Sequence, residues 1–396
     1  MEWKTAWSYL AVNYNTNIGT VNNITQRTFF ENNLNGTKIK VKFSNSFSNN
    51  PLILEHVTIG KKDKKKVEIE GLQALTYQGS KKIVINPGKE LYSDEIAFPI
   101  SAYEDIVFSL YVKEATEIYS VSSTWSARSW NTKYGLNGNF VSMQKFAETD
   151  SVEVFPVLNK DMYKANTLFG ITEIKLYTDN QVKTVAVFGD SITHMSYYSD
   201  ALIKRLYESY PGEITVINRG LGGNRLLRDY SRVLEVPGGG TIFGSAGVQR
   251  FYKDIYSCDQ PEIILVLIGI NDFVHPYALK HYDEVATVNE YQKGITELIS
   301  IAHQNGSKIM IGTITPFRHE ESDWFSQAED LRKGANGWIR NQKLSDGIMD
   351  FDMATRKPEE PEYMLEDSHL GDGLHPNYVG GKRMANVVLM EWFKER

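Results

Sequence analysis

Four short stretches of this chain carry side chains able to do acyl-transfer chemistry, each at a turn or a strand end. Ser191 follows Val185-Ala186-Val187-Phe188 in the turn Gly189-Asp190-Ser191. Val216-Ile217-Asn218-Arg219 runs into the glycine-rich turn Gly220-Leu221-Gly222-Gly223-Asn224. The apolar run Ile263 to Ile268 ends in Gly269-Ile270-Asn271-Asp272, and Asp372-Gly373-Leu374-His375-Pro376-Asn377 lies near the carboxyl end. Cleaving an ester takes a nucleophile, a base to remove its proton, and donors for the oxyanion that forms when the carbonyl becomes tetrahedral. A serine hydroxyl is poorly nucleophilic at neutral pH, so it needs an imidazole. Asp372, three residues before His375, can accept from one ring nitrogen across a tight turn and leave the other to face a serine. Each stretch also has a purely structural reading. Asp190 or Ser191 can cap a helix, Gly223 can be a turn glycine at positive φ, Asn271 a strand-end cap, and Asp372 with His375 an Asx turn before Pro376. Asp190 and Asp272 read as turn-organising acceptors rather than as a carboxylate pair for acid–base work.

The elements that must position these residues follow from hydropathy patterning. Four consecutive apolar residues before Gly189 predict a strand buried on both faces. Apolar or aromatic residues at 202, 203, 206, 207 and 210 predict a helix over Ser199 to Tyr210, stopped by Pro211-Gly212. A serine on such a strand-to-helix turn sits at the carboxyl edge of a parallel sheet, where open α/β folds place their ligands. Beyond the turn Asp179-Asn180, strands are expected near 184–188, 214–218, 262–268, 308–314 and 347–351. Helices are expected near 199–210, 246–256, 287–304, 326–340 and 377–394, with Asn305-Gly306 closing the third. This alternation means a parallel sheet covered on both faces. Gly238-Gly239-Gly240, between Pro237 and Phe243, is a candidate rim over the site.

Taken together the four stretches resemble the signature blocks of the SGNH hydrolases, the GDSL-type esterases. The resemblance implies Ser191 as nucleophile, Gly223 and Asn271 as oxyanion donors beside the Ser191 N–H, and His375 with Asp372 as base and orienter. One departure is that Ile192 stands where the older family name has Leu. Asn218 and Asn224 are expected to steady the glycine turn, and Asn224 and Arg225 are candidate substrate contacts. The family form is a three-layer α/β/α, flavodoxin-like domain with five parallel strands in the order 2-1-3-4-5, and its mechanism implies no cofactor.

Residues 1–178 read differently. Thr37-Lys38-Ile39-Lys40-Val41-Lys42-Phe43 alternates with period two, and strand-like runs follow at Leu52 to Ile59, Lys82 to Ile85, Glu95 to Ile100 and Asp105 to Val112, without a convincing helix. Such spacing indicates a β-sandwich or jelly roll. The stretch Gly36 to Pro51 looks similar to the amino-terminal β-domain of some bacterial SGNH enzymes. The expected organisation is therefore a β-domain over 1–178 and an SGNH catalytic domain over 179–396. Trp125, Trp130, Tyr119 and Tyr134 could stack on sugar rings, the alternative being core or interface packing.

Composition narrows the partners. With 41% hydrophobic and 23% charged residues in 396, the chain is an ordinary globular protein long enough for two domains. A net charge of −6 argues against a nucleic-acid partner, and Lys61-Lys62-Asp63-Lys64-Lys65-Lys66 reads as a solvated hairpin tip. The single cysteine, Cys258, precludes an intrachain disulfide and has no histidine near it in sequence. His194 reads as a helix-start residue and His369 as part of the approach to Asp372. The cluster His319-Glu320-Glu321-Ser322-Asp323 lacks a second ligand set, so no metal is expected. Walker A, G-x-G-x-x-G and G-x-S-x-G motifs are absent. No basic-then-apolar leader and no membrane-length apolar run occur, so the expectation is a cytoplasmic protein, or a secreted one whose signal has been removed, with room for a homo-oligomer. The reading is a serine esterase for short acyl groups, acetyl first, on carbohydrates. The alternatives are a lipase or lysophospholipase, and a carbohydrate-binding or scaffolding protein with an inactive hydrolase domain.

Overall fold

The structure, a computed structural model, describes residues 1–158, 164–179, 181–230, 233, 237–318 and 325–394. The chain divides into two compact units, Met1–Lys183 with Tyr207–Ile217, and Thr184–Leu206 with Asn218–Arg396. The first unit takes in 207–217 because Asn33 Nδ2 donates to the Tyr210 and Ile214 carbonyls at 2.9 and 2.8 Å, and Thr215 Oγ1 to the Thr5 carbonyl at 2.7 Å.

The first unit is built on two five-stranded antiparallel sheets. One runs Glu2–Ser8, Ile171–Thr178, Gly36–Ser44 and Glu90–Tyr92, with Ile96–Ile100 also on Gly36–Ser44. The other runs Trp130–Leu136, Ile24–Phe30, Glu104–Val112, His56–Asp63 and Glu70–Ala74. Rings from the two sheets meet: Trp7 lies 4.6 Å from Phe30, and Phe43 lies 6.4 Å from Phe108. The period-two pattern of residues 37–43 has its expected effect, since Ile39, Val41 and Phe43 are fully buried. The lysines between them are not simply solvated. Lys38, Lys40 and Lys42 lay their ammonium groups over Tyr177, Trp3 and Tyr92.

Two expectations here need revision, and one open choice is decided. Leu52 to Ile59 is two strands, because Leu52–Leu54 pairs with Ile83–Ile85 whereas His56–Asp63 crosses to Glu104–Val112. The polar pair Glu55-His56 marks that break in alternation. A short helix, Ser151–Val154, does occur. Of the four aromatics offered for sugar stacking, Trp130 and Tyr134 are core: Trp130 packs edge-on to Trp7 and Tyr9, and the Tyr134 hydroxyl donates to the Thr167 carbonyl at 2.8 Å.

The parallel sheet consists of β1 (Lys183–Gly189), β2 (Ile214–Gly220), β3 (Ile263–Leu267), β4 (Lys308–Gly312) and β5 (Gly347–Met349), in the order β2-β1-β3-β4-β5. Register is continuous, with Val185 opposite Ile263 and Ile263 opposite Lys308. β2 and β3 are buried throughout, and β1 and β4 beyond their first residue, because helices cover the sheet. Phe188 of β1 meets Phe251 of the helix Gly247–Tyr256 edge-on at 5.0 Å. The helix Val288–Gln304 starts in a capping box between Thr287 and Glu290, buries Tyr291, Ile295, Leu298 and Ile299, and ends before Gly306 at φ 74°.

The helix expected over 377–394 stops at Asn386, where Arg205 donates to the Ala385 and Val388 carbonyls and a separate 3-10 turn follows at Met390–Phe393. Short helices at Ser191–His194, Ile270–Ala278 and Phe351–Thr355 escape periodicity, being too short or, with Pro276, interrupted. Among the described residues no helix is long and apolar enough to cross a membrane.

Candidate active site

Gly189 at the end of β1 has to be glycine, because a Cβ would lie 2.2 Å from the Leu267 carbonyl oxygen and 2.3 Å from Thr193 Oγ1. That closeness lets the chain turn directly into the helix Ser191–His194, whose start is capped by Asp190 Oδ1 accepting from the Ile192 amide at 3.0 Å. Ser191 is therefore the first helical residue beyond the sheet's carboxyl edge, and it is half-buried.

Its Oγ lies 2.8 Å from His375 Nε2, and His375 Nδ1 lies 2.6 Å from Asp372 Oδ2. The other Asp372 oxygen accepts from the Leu374 and His375 amides, both at 3.0 Å, so one oxygen builds the turn while its partner orients the ring. With Nδ1–H directed at the carboxylate, Nε2 is left to accept from the serine hydroxyl. The turn has its own support, which sequence reasoning missed. His369 Nδ1 accepts from the Gly371 and Gly373 amides at 3.0 and 3.1 Å, and the Leu370 amide donates to the His375 carbonyl at 2.9 Å.

The glycine turn is tied to the serine helix. Leu221 N–H donates to the Gly189 carbonyl at 3.0 Å, and Gly222 N–H donates to His194 Nδ1 at 3.0 Å. Asn218 holds it from below, donating to the Thr193 carbonyl at 2.9 Å and accepting from Gly220 N–H at 2.8 Å. Gly223 sits at φ 69°, and a Cβ there would come within 2.1 Å of the Phe243 ring. The obstacle to a side chain there is Phe243. Asn271 is buried at the start of Ile270–Ala278, and one of its two amide hydrogens goes to the Asn224 carbonyl at 3.0 Å. Among the described residues the Ser191 and Gly223 amides donate to no acceptor. Those two N–H groups and the second Asn271 hydrogen are the donors this corner of the fold leaves available.

Asn224 and Arg225, the candidate substrate contacts, are both buried and bonded within the protein, Asn224 at the glycine turn. Asn224 is fully buried, donates to the Phe243 and Ser245 carbonyls at 2.6 and 2.8 Å, and accepts from Arg250 Nε at 2.8 Å. Arg225 is buried against Glu284 at 2.6 Å and donates to the Asp229 carbonyl. Arg250, which no sequence signal singled out, staples the site from behind. Besides Asn224 its guanidinium donates to the Gly189 carbonyl at 2.8 Å, the Arg219 carbonyl at 3.1 Å and Asp254 Oδ2 at 2.7 Å. Only the i,i+4 spacing to Asp254 was readable in advance.

Burial sets the electrostatics behind the serine. It pushes the Asp190 carboxyl up to about 7, against the pull of the Ile192 amide and Arg250 and with the push of Asp272. It likewise pushes Asp272 up to about 6, although that group accepts from the Leu226 and Leu227 amides at 2.7 and 2.9 Å. Burial and the Arg225 charge bring the His275 imidazole down to about 4. Cys258 is half-buried and accepts from Arg219 at 2.8 Å. Among the described residues no group of three or more His, Cys, Asp or Glu could hold a metal ion, and the cluster 319–323 lies outside them.

The sequence model of the GDSL-like lipase/acylhydrolase family matches residues 187–383. No curated protein matches the chain. Among solved structures the chain is similar to the acetylxylan esterase Axe2 from Geobacillus stearothermophilus, at 20% identity over 54% of this chain and 95% of that one, with a TM-score of 0.39. It is also similar to LAE5, an alpha/beta hydrolase from the metagenome of Lake Arreo, Spain, at 20% identity over 52% and 92% of the two chains, with a TM-score of 0.39.

Proposed function

The chain carries a GDSL-like lipase/acylhydrolase domain, and on that premise we propose that it is a serine esterase, with 179–396 as its catalytic domain and 1–178 as an accessory β-domain. Ser191 attacks the ester carbonyl while His375 takes the hydroxyl proton through Nε2. Asp372 holds Nδ1–H and offsets the charge of the imidazolium. The Ser191 and Gly223 amides and the Asn271 side chain receive the oxyanion. His375 then returns the proton to the leaving alkoxide, and a water, activated the same way, releases the acid from Ser191. The cycle consumes only water.

The observation that carries this reading is the relay of two short hydrogen bonds, 2.6 Å from Asp372 to His375 and 2.8 Å from His375 to Ser191. Phe243 supports a short acyl group. Its ring lies against Gly223 and 5.3 Å from the ring of His275, one helical turn beyond Asn271, so an aromatic wall bounds the space beside the proposed donors. The proposed alcohol is a carbohydrate hydroxyl, the class implied by the resemblance of the two-part chain to bacterial SGNH enzymes. The test compares p-nitrophenyl acetate, butyrate and decanoate, and then acetate release from acetylated xylan and chitooligosaccharides. Rates falling with chain length support the reading, rates rising with length support a lipase, and no turnover supports an inactive binding protein.

A further inference from the structure

We propose that His194 is a positioning residue for the oxyanion-binding turn, its unprotonated Nδ1 holding the Gly222 amide so that the Gly223 N–H points at the reacting carbonyl. The proposal rests on the esterase reading above and adds a group to it that does not touch substrate.

His194 is the last residue of the helix that Ser191 begins, and its side chain is buried. The glycine turn passes against this helix so closely that a Cβ on Gly220 would lie 2.2 Å from the His194 amide nitrogen. Before Gly222 the turn is anchored by Leu221 on the Gly189 carbonyl, and after Gly223 by Asn224 on the Leu221 carbonyl at 3.1 Å and on Phe243 and Ser245. Between these anchors lie two glycines, one at φ 69°, with no side chains to restrain their torsions. Among the described residues the bond from Gly222 N–H to His194 Nδ1 is the one their amides make. The Gly222 N–H belongs to the Leu221–Gly222 peptide and the Gly223 N–H to the next one, joined only through the Gly222 φ and ψ, so fixing the first plane, with Asn224 anchored beyond, restricts the directions open to the second. The imidazole can do this only with Nδ1 unprotonated and its proton on Nε2. An asparagine Oδ1 stands at the same number of bonds from the backbone and could replace it, whereas a leucine or phenylalanine could not.

The experiment compares wild type with His194→Phe, His194→Leu and His194→Asn. Misaiming a donor that acts only on the tetrahedral state should lower kcat for p-nitrophenyl acetate by roughly 10- to 100-fold in the Phe and Leu variants, with KM within about twofold. Inhibition by phenylboronic acid, which forms a tetrahedral adduct on the serine, should weaken by the same factor. The Asn variant should recover both. Hydrogen exchange at the Gly222 amide should be slow in wild type and His194→Asn and fast in the other two. Fast Gly222 exchange in the wild type overturns the proposal without any variant, so misfolding of one leaves it testable. Unchanged kcat in His194→Leu with faster exchange overturns the positioning role. A wild type without esterase activity but with a protected Gly222 amide overturns the esterase reading instead.

Discussion

Ser191 Oγ and His375 Nε2 stand 2.8 Å apart although 184 positions separate them in the chain. Neither side chain reaches the other by chance of packing. Ser191 is delivered by a glycine that lets β1 turn against the Leu267 carbonyl, and His375 by a turn that Asp372 and His369 hold from two sides.

Asp372→Asn keeps an oxygen for the Leu374 and His375 amides, so the turn should persist. What is lost is the carboxylate facing Nδ1–H. In a Ser-His-Asp hydrolase that change costs on the order of 10⁴ in kcat. Steady-state kinetics together with an unchanged thermal midpoint check it.

Asn271→Ala removes a proposed oxyanion donor and the bond to the Asn224 carbonyl. Turnover should fall by about 10²- to 10³-fold. Stability should fall by about 1 kcal/mol, the usual net value of one such hydrogen bond. Kinetics and urea denaturation read the two effects separately.

Phe243→Ala opens the aromatic wall beside Gly223 and His275. The rate ratio of p-nitrophenyl butyrate to acetate should rise by roughly tenfold, the scale on which pocket size discriminates a short methylene chain. An unchanged ratio would place the acyl group elsewhere.

Glu173 links acid to the stability of the β unit. Burial raises its carboxyl, but Lys175, Lys42 and the Tyr92 hydroxyl outweigh that and hold it down at about 2, from an ordinary 4.5. A carboxyl depressed on folding contributes stability that is complete above its unfolded value and is lost as pH falls from about 4.5 toward 2. The contribution is on the order of 3 kcal/mol, spread over that window. Denaturation of wild type and Glu173→Gln at several pH values, followed by tryptophan fluorescence, should show a gap at neutral pH that closes in this acid range.

Much of this was legible beforehand because strong local signals carried it. Buried apolar runs placed β1 to β5, while the strand order came from the resemblance of the four turn stretches to the SGNH signature blocks. Ser191, Asp372 and His375 were readable as residue types at turns. What escaped depends on neighbours distant in sequence. Arg250 looks like any helix arginine until Gly189 and Asn224 are folded against it, and Phe243 looks like a loop aromatic until Gly223 meets its ring. The partners of Asn224 and Arg225 were hidden for the same reason: both side chains turn inward, to the Phe243, Ser245 and Asp229 carbonyls and to Glu284, all distant in sequence or set by the loop's path. Trp130 and Tyr134 likewise face the sandwich core.

The account stands on Ser191 as the group that bonds to the acyl carbon, and covalent trapping reads that most directly. After reaction with diethyl p-nitrophenyl phosphate, peptide mass spectrometry should find one phosphoryl group per chain, on Ser191, with p-nitrophenyl acetate turnover lost in proportion. Label on any other residue while turnover disappears, or a Ser191→Ala variant that hydrolyses the acetate ester at the wild-type rate, would contradict it.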